Sequence, residues 1–216
     1  MGKVIAVDGP AGAGKSTVSK IVAAKLGYTY IDTGAMYRAV GLKLLKSGKP
    51  LTENILTEIV SDIEIKLDES AKVFLDGAEV TKEIRTPEVS KLASDVSKFG
   101  FVRKKLTELQ REMALNGSVI MDGRDIGTQV LPNADLKIFL TATLHERAKR
   151  RFEELKAKGQ DVNLNAVENE IAARDKQDSE REIAPLKQAD DAILIDSTNL
   201  TIDEVVKKIL RIADGN

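Results

Sequence analysis

Short apolar runs rich in β-branched residues alternate along the chain with stretches of helical periodicity. Val4-Ile5-Ala6-Val7, flanked by Lys3 and Asp8 and followed by a glycine-rich turn, has the pattern of a strand buried on both faces. Val18, Ile21, Val22 and Leu26 share one helical face, which predicts a helix from Ser16 that Gly27 stops. Residues 28–31 read as a second strand. A helix over 34–47, ended by Gly48 and Pro50, and a helix capped by Thr52 follow. The pattern then changes. Ile63, Ile65 and Leu67 alternate with Glu64 and Lys66, and Asp76-Gly77 is a hairpin turn signal between residues 72–75 and 78–80. Residues 87–99 and 101–115 resume helix, with Gly100 expected as the break. Val119-Ile120-Met121 and Lys137-Ile138-Phe139-Leu140 look like core strands, and residues 192–195 are the last. Thr143 with Glu146, and Thr201 with Glu204, read as capping boxes, and another helix covers about 165–181. Five strands separated by helices predict a parallel sheet covered on both faces, interrupted by a small antiparallel insertion.

Composition narrows the chemistry. The chain has 216 residues, 33 Lys+Arg against 34 Asp+Glu, and a formal net charge of −1. That balance gives no overall pull toward nucleic acid or an anionic membrane. It contains no Cys and the single histidine His145, which excludes disulfides, thiolate chemistry and multi-histidine metal sites. The strand-like start leaves no room for a signal peptide, and no apolar run approaches the roughly 18 residues that span a bilayer. These features predict a cytoplasmic globular protein, monomeric in the absence of heptads. Catalysis would fall to Lys, Arg, Asp, Ser or backbone.

Gly9-Pro10-Ala11-Gly12-Ala13-Gly14-Lys15-Ser16 matches G-x-x-x-x-G-K-[ST], placed between a strand and a helix. Glycines let backbone N–H groups converge on phosphate oxygens, and the next helix aims its positive end at the same anion. Lys15 reaches the β- and γ-phosphates, and Ser16 can ligate Mg²⁺ through its hydroxyl. A Rossmann reading fails, because no third glycine follows at the required spacing.

Further charge gathers at strand ends, where open parallel sheets bind ligands. Asp32-Thr33-Gly34-Ala35-Met36-Tyr37-Arg38 closes the second strand; Arg38 suits a second anion, and equally a solvated helix start. Asp122-Gly123-Arg124-Asp125-Ile126-Gly127-Thr128 follows the third. Asp122 can accept from a water on Mg²⁺ or from the Ser16 hydroxyl, and Arg124 offers a bidentate fork for phosphate; an internal Arg–Asp pair in a turn is the plainer alternative. Arg174, Asp178 and Arg181 share a helical face, where a surface ion-pair ladder is the simplest explanation. Arg147, Arg150 and Arg151 read first as a solvated face, and His145 as a surface residue. No Asn-Lys-x-Asp signature and no protein-kinase catalytic loop occur. No general base stands out. A phosphate acceptor needs none, since its second pKa near 6 leaves it largely ionised at neutral pH.

The loop from Asp8 to Thr17, Asp32-Thr33-Gly34-Ala35-Met36-Tyr37-Arg38, Gly123-Arg124-Asp125-Ile126-Gly127-Thr128 and Arg174-Asp175-x-x-Asp178-x-x-Arg181, in that order, resemble the bacterial cytidylate kinase family of nucleoside monophosphate kinases. The resemblance covers essentially the whole chain. It implies one P-loop kinase domain of the NMP-kinase-like α/β fold: a core of residues 1–33, 116–146 and 165–216, a monophosphate-binding region at 34–115 with its antiparallel insertion at about 62–85, and a short lid at 147–164. ATP would lie on Gly9, Pro10, Ala11, Gly12, Ala13, Gly14, Lys15, Ser16 and Thr17, with Arg150 and Arg151 approaching from the lid. Mg²⁺ would come with it, at Ser16 and, through water, at Asp122. Arg38 and Arg124 would hold the acceptor phosphate of CMP or dCMP, beside Thr33, Gly34 and Tyr37. Ser94, Arg103, Asp125 and Arg181 would surround cytosine, and Asp178 with Arg174 the sugar. Cytosine offers a donor at its 4-amino group and acceptors at N3 and O2, which that set complements and uracil does not. Thr33 stands where many relatives carry serine and keeps the hydroxyl. A kinase for UMP or a small metabolite, or a non-catalytic nucleotide-binding module, are the competing readings.

Overall fold

The computed structural model describes residues 2–68 and 70–215. β1 (Val4–Asp8) runs into the glycine-rich loop, from which α1 (Lys15–Leu26) emerges; Gly27 caps that helix at φ 67°. β2 (Thr29–Asp32) leads directly into α2 (Thr33–Ser47), and α3 (Glu53–Ser61) follows with the Thr52 hydroxyl accepting from the Ile55 N–H. The insertion is β3 (Ile65–Leu67), β4 (Val73–Leu75) and β5 (Ala78–Glu79), a three-stranded antiparallel sheet. Asp76 (φ 48°) and Gly77 (φ 83°) both take left-handed backbone at its hairpin, as a two-residue turn of that hand requires. A 3₁₀ turn at Glu83–Arg85 leads to α4 (Pro87–Val96) and α5 (Gly100–Ala114).

The break between those helices falls at residues 97–99, and Gly100 starts the second helix instead of ending the first. Phe99 explains the shift. It packs on the core in an edge-to-face pair with Phe101, ring centroids 5.8 Å apart, and this holds it in extended backbone at the helix start.

β6 (Val119–Gly123) and β7 (Leu136–Thr141) flank β1 in parallel, and β8 (Ile193–Asp196) pairs with β7. The full strand order is β2-β6-β1-β7-β8. β1 and β6 are apolar almost throughout because helices cover both faces; β8, with Ile193 and Leu194 exposed, shows its place at the edge. α6 (Leu144–Ala157), α7 (Leu164–Glu180) and α8 (Ile202–Ala213) complete the chain. The Thr201–Glu204 capping box forms on α8, but at α6 only the Thr143 half does, because the Glu146 carboxylate turns to Arg150 Nε at 2.9 Å.

The chain divides into two compact units, one within Met1–Tyr28 and Ser118–Asn216, the other within Thr29–Gly117. The second has its own core, in which Met36, Leu56, Ile84 and Leu106 are fully buried. Among the described residues no helix is long and apolar enough to cross a membrane.

Candidate active site

In the first unit the glycine-rich loop takes its shape from two close approaches. Gly9 (φ 148°) lies so near β7 that a Cβ there would sit 2.0 Å from the Leu140 carbonyl oxygen, so only glycine fits. At Gly12 (φ 74°) a Cβ would come within 3.1 Å of the carbonyl oxygen and Cβ of Arg147. Lys15, buried at the first position of α1, donates from Nζ to the Pro10 carbonyl at 2.8 Å. Burial, joined by the charges of Arg124 and Arg174, depresses its pKa to about 7 against the pull of Asp122 and Asp8. Ser16 Oγ donates to Asp122 Oδ2 at 2.7 Å, one of the two partners that the position of Asp122 at the end of its strand allows.

Asp8, at the end of β1, is the first residue to which reading the sequence gave a place but no role. Its carboxylate accepts from the Ile126 N–H at 2.8 Å and the Gly127 N–H at 2.7 Å. Burial still raises its pKa to about 6, with those two N–H groups opposing. The segment it holds is a turn of π-helix, Ile126–Val130, a conformation that the sequence pattern did not announce. Arg124 and Asp125 stand immediately before it. A carboxylate ending an apolar strand was the available signal.

Arg124 Nε donates to Asp178 Oδ2 at 2.8 Å, and Arg181 Nη2 to Asp125 Oδ1 at 3.2 Å. Arg181 also lies 3.7 Å from Asp178. The surface ladder expected for α7 is therefore wrong: Asp178 is 5% exposed, and Arg181 lies just past the helix in extended backbone. Burial would raise the Asp178 carboxyl, yet Arg124, Arg174 and Arg181 hold it below the ordinary range.

The expectation of a solvated arginine face on α6 also fails, at Arg147. This buried side chain donates to the Ala142 carbonyl and, at 2.9 Å, to the Ala11 carbonyl in the phosphate loop. It pairs with Asp175 at 2.5 Å, and Asp175 accepts in turn from the Ala11 N–H at 3.3 Å. Arg150, in contrast, bonds Ser197 through Oγ and the carbonyl, and Arg151 makes an exposed pair with Glu154. His145 is an exposed residue beside Glu168.

The second unit carries its own charged group. Asp32 caps α2 by accepting from the Ala35 N–H at 2.8 Å through Oδ1, and its Oδ2 accepts from both Arg38 and Arg85. Burial pushes its carboxyl up, but the two guanidiniums hold it below the ordinary range. Arg38 Nη1 lies 3.1 Å from where a Gly34 side chain would begin, so Gly34 leaves room for the guanidinium. Arg103 is buried with its guanidinium 5.5 Å from the Tyr37 ring centre, which brings two of the expected ligands together. Thr33 is buried, and Ser94 is half-buried on α4. Arg85 gave no signal in the sequence.

The family model for cytidylate kinase matches residues 5–215. A cytidylate kinase of Caldicellulosiruptor bescii is 60% identical over 212 residues, covering 96% of this chain and 94% of its own. One from Bacillus licheniformis is 54% identical over 215 residues, covering 97% and 95%. Among solved structures, a shikimate kinase of Acinetobacter baumannii has the same fold at 17% identity, with a TM-score of 0.51 over 100% of this chain and 95% of its own.

Proposed function

The chain belongs to the cytidylate kinase family, and from that premise we propose that it transfers the γ-phosphoryl group of ATP to CMP or dCMP, giving ADP and CDP or dCDP. The observation that carries the reading is the constellation around the phosphate loop: Lys15, the Ser16–Asp122 hydrogen bond and Arg124 stand among glycine backbone that a polyphosphate can approach closely.

The acceptor is already an anion, so the residues have charge to neutralise and oxygens to align. Lys15 bridges the β- and γ-phosphates of ATP seated on residues 9–17, while Arg38 and Arg124 hold the phosphate of CMP. Asp125, oriented by Arg181, accepts from the cytosine 4-amino group, and Arg103 and Ser94 donate to the base. Thr33, Gly34 and Tyr37 line the phosphate side, and Asp178 with Arg174 meets the sugar. Arg150 and Arg151 reach the donor phosphates only by leaving Ser197 and Glu154.

A hydroxyl and a carboxylate 2.7 Å apart at Ser16 and Asp122 fit Mg²⁺, a hard cation bound through few protein oxygens and several waters. When bound with ATP, the ion neutralises charge on the β- and γ-phosphates. A chain without cysteine suits a reducing, cytoplasmic compartment, and with balanced charge and no heptads a monomer is the default, with these nucleotides as its ligands.

The test is ADP release from ATP·Mg²⁺ with CMP, dCMP, UMP, AMP and GMP offered separately. CMP and dCMP should turn over at least ~100-fold faster than UMP, since uracil leaves buried polar groups unpaired. Equal rates with UMP would remove the base-recognition argument. No turnover with any acceptor would remove the kinase reading.

A further inference from the structure

We propose that Lys137, on β7, is a positioning residue for recognition of the cytosine base: its side-chain stem, pinned at the far end by Asp191, fixes the turn at 126–130 that places the Asp125 carboxylate. The inference rests on the reading of Asp125 as a cytosine ligand and deepens it.

Gly127 is where the stem touches the turn. A Cβ on Gly127 would lie 3.1 Å from Lys137 Cδ, 3.3 Å from its Cγ and 3.4 Å from Asp8 Oδ2. The glycine therefore packs against an aliphatic stem and a carboxylate at once, and it donates its N–H to that same carboxylate at 2.7 Å. The backbone beyond it returns to Asp125. The N–H groups of Gln129 and Val130 both donate to the Asp125 carbonyl, at 2.9 and 3.1 Å, and that of Leu131 to the Ile126 carbonyl at 2.7 Å. A shift of Gly127 is thus a shift of the Asp125 main chain, whose carboxylate meets Arg181 at 3.2 Å.

Lysine is an odd choice in a strand otherwise made of Leu136, Ile138, Phe139 and Leu140. It is buried, and a buried lysine must carry its ammonium to a partner. Nζ donates to both oxygens of Asp191, at 2.9 and 2.8 Å. The Asp191 side chain is 66% exposed, so the ion pair adds little to stability. Its effect is to set the direction in which the stem runs. Asp191 sits on firm backbone for that purpose: the Ala192 N–H donates to the Ala189 carbonyl at 2.9 Å, and Gln188 Nε2 to the Ala192 carbonyl at 2.9 Å. A role in the fold alone would need only the volume of the stem, and its loss would affect every substrate alike. A positioning role is felt where Asp125 reads the base.

The experiment measures kcat and KM for CMP, UMP and ATP with the full-length protein, in wild type, Lys137→Ala, Lys137→Met, Asp125→Ala and the double variant of Lys137→Ala with Asp125→Ala. Lys137→Ala should lower the ratio of kcat/KM for CMP over UMP about 10-fold, the equivalent of one lost hydrogen bond. The fall should come through a higher KM for CMP, and KM for ATP should stay. Lys137→Met, with a stem of similar length and no fixed end, should recover part of the ratio. In the Asp125→Ala background the same truncation should not move the ratio further, because the two residues act in series. An unchanged ratio in Lys137→Ala, a loss shared equally by CMP, UMP and ATP, or a further fall in the double variant overturns the proposal. If Asp125→Ala itself leaves the ratio unchanged, the cytosine reading of Asp125 fails and the proposal with it. Should Lys137→Ala unfold the protein, Asp191→Ala, a surface change that releases the end of the stem, carries the same comparison with a smaller fall.

Discussion

Burial sets the ammonium of Lys15 against the Pro10 carbonyl with Arg124 and Arg174 as neighbouring cations, and the charged form suffers for it. With a folded-state pKa near 7, below the ordinary 10.5, the fold bears the whole cost below pH 7 and sheds it as pH climbs toward 10.5. Lys15→Met should therefore unfold a few kcal/mol less readily than wild type at pH 6.5, as measured in urea without nucleotide, with the gap closing by about pH 10. The same variant should lose at least ~100-fold in turnover, the scale of removing a preorganised electrostatic contact. Asp8 carries the opposite sign. Its pKa is raised to about 6, so its cost is present above that value and relieved as pH falls toward 4. Asp8→Asn would turn an acceptor into a donor facing an N–H. The amide protons of Ile126 and Gly127 should then exchange at least ~10-fold faster, the equivalent of one lost hydrogen bond, and, with Asp125 just before them proposed as the cytosine ligand, the ratio of CMP to UMP turnover should fall.

Helix α6 meets the phosphate loop through Arg147 and, beside it, Ala148 and Leu155. Arg147 holds the Ala11 carbonyl, Asp175 of α7 holds the Ala11 N–H, and the two are paired. Ala11 also joins Ala148, Leu155, Val167 and Ile171 in a small core. The 147–164 segment is thus packed onto the loop, and any movement of it is felt at Ala11. Arg147→Ala leaves Asp175 without its partner and should cost about 3 kcal/mol, with the KM for ATP rising more than that for CMP. At the other end of the chain, Thr201→Ala removes one half of an intact capping box on α8. A loss of about 1 kcal/mol should lower Tm by roughly 2–4 °C in a thermal scan, with activity retained.

Across the molecule, what could be read in advance depended on how local its cause was. The five core strands, the insertion and the loop announce themselves through runs of Val, Ile and Leu, the Asp76-Gly77 turn and the glycine spacing, all of which act over a few residues. The burial of Arg147 and Asp178 depends on side chains brought together from distant parts of the chain, and on a helix face they resemble any solvated charge. The π-helical turn is likewise invisible locally, because its first two N–H groups are satisfied by Asp8, more than a hundred residues earlier. Lys15 links this arrangement to the solvent in a way that calorimetry detects. Polyphosphate gives its ammonium a better partner than the Pro10 carbonyl and returns its pKa toward the ordinary value. Above neutrality, ATP binding must then draw a proton from the buffer, approaching about one per nucleotide near pH 8.5. The binding enthalpy should vary with the ionisation enthalpy of the buffer, and the affinity for ATP should fall as the solution is made alkaline. Lys15→Met should abolish both dependences; binding enthalpies equal in Tris and HEPES at pH 8 would show that the lysine was already charged.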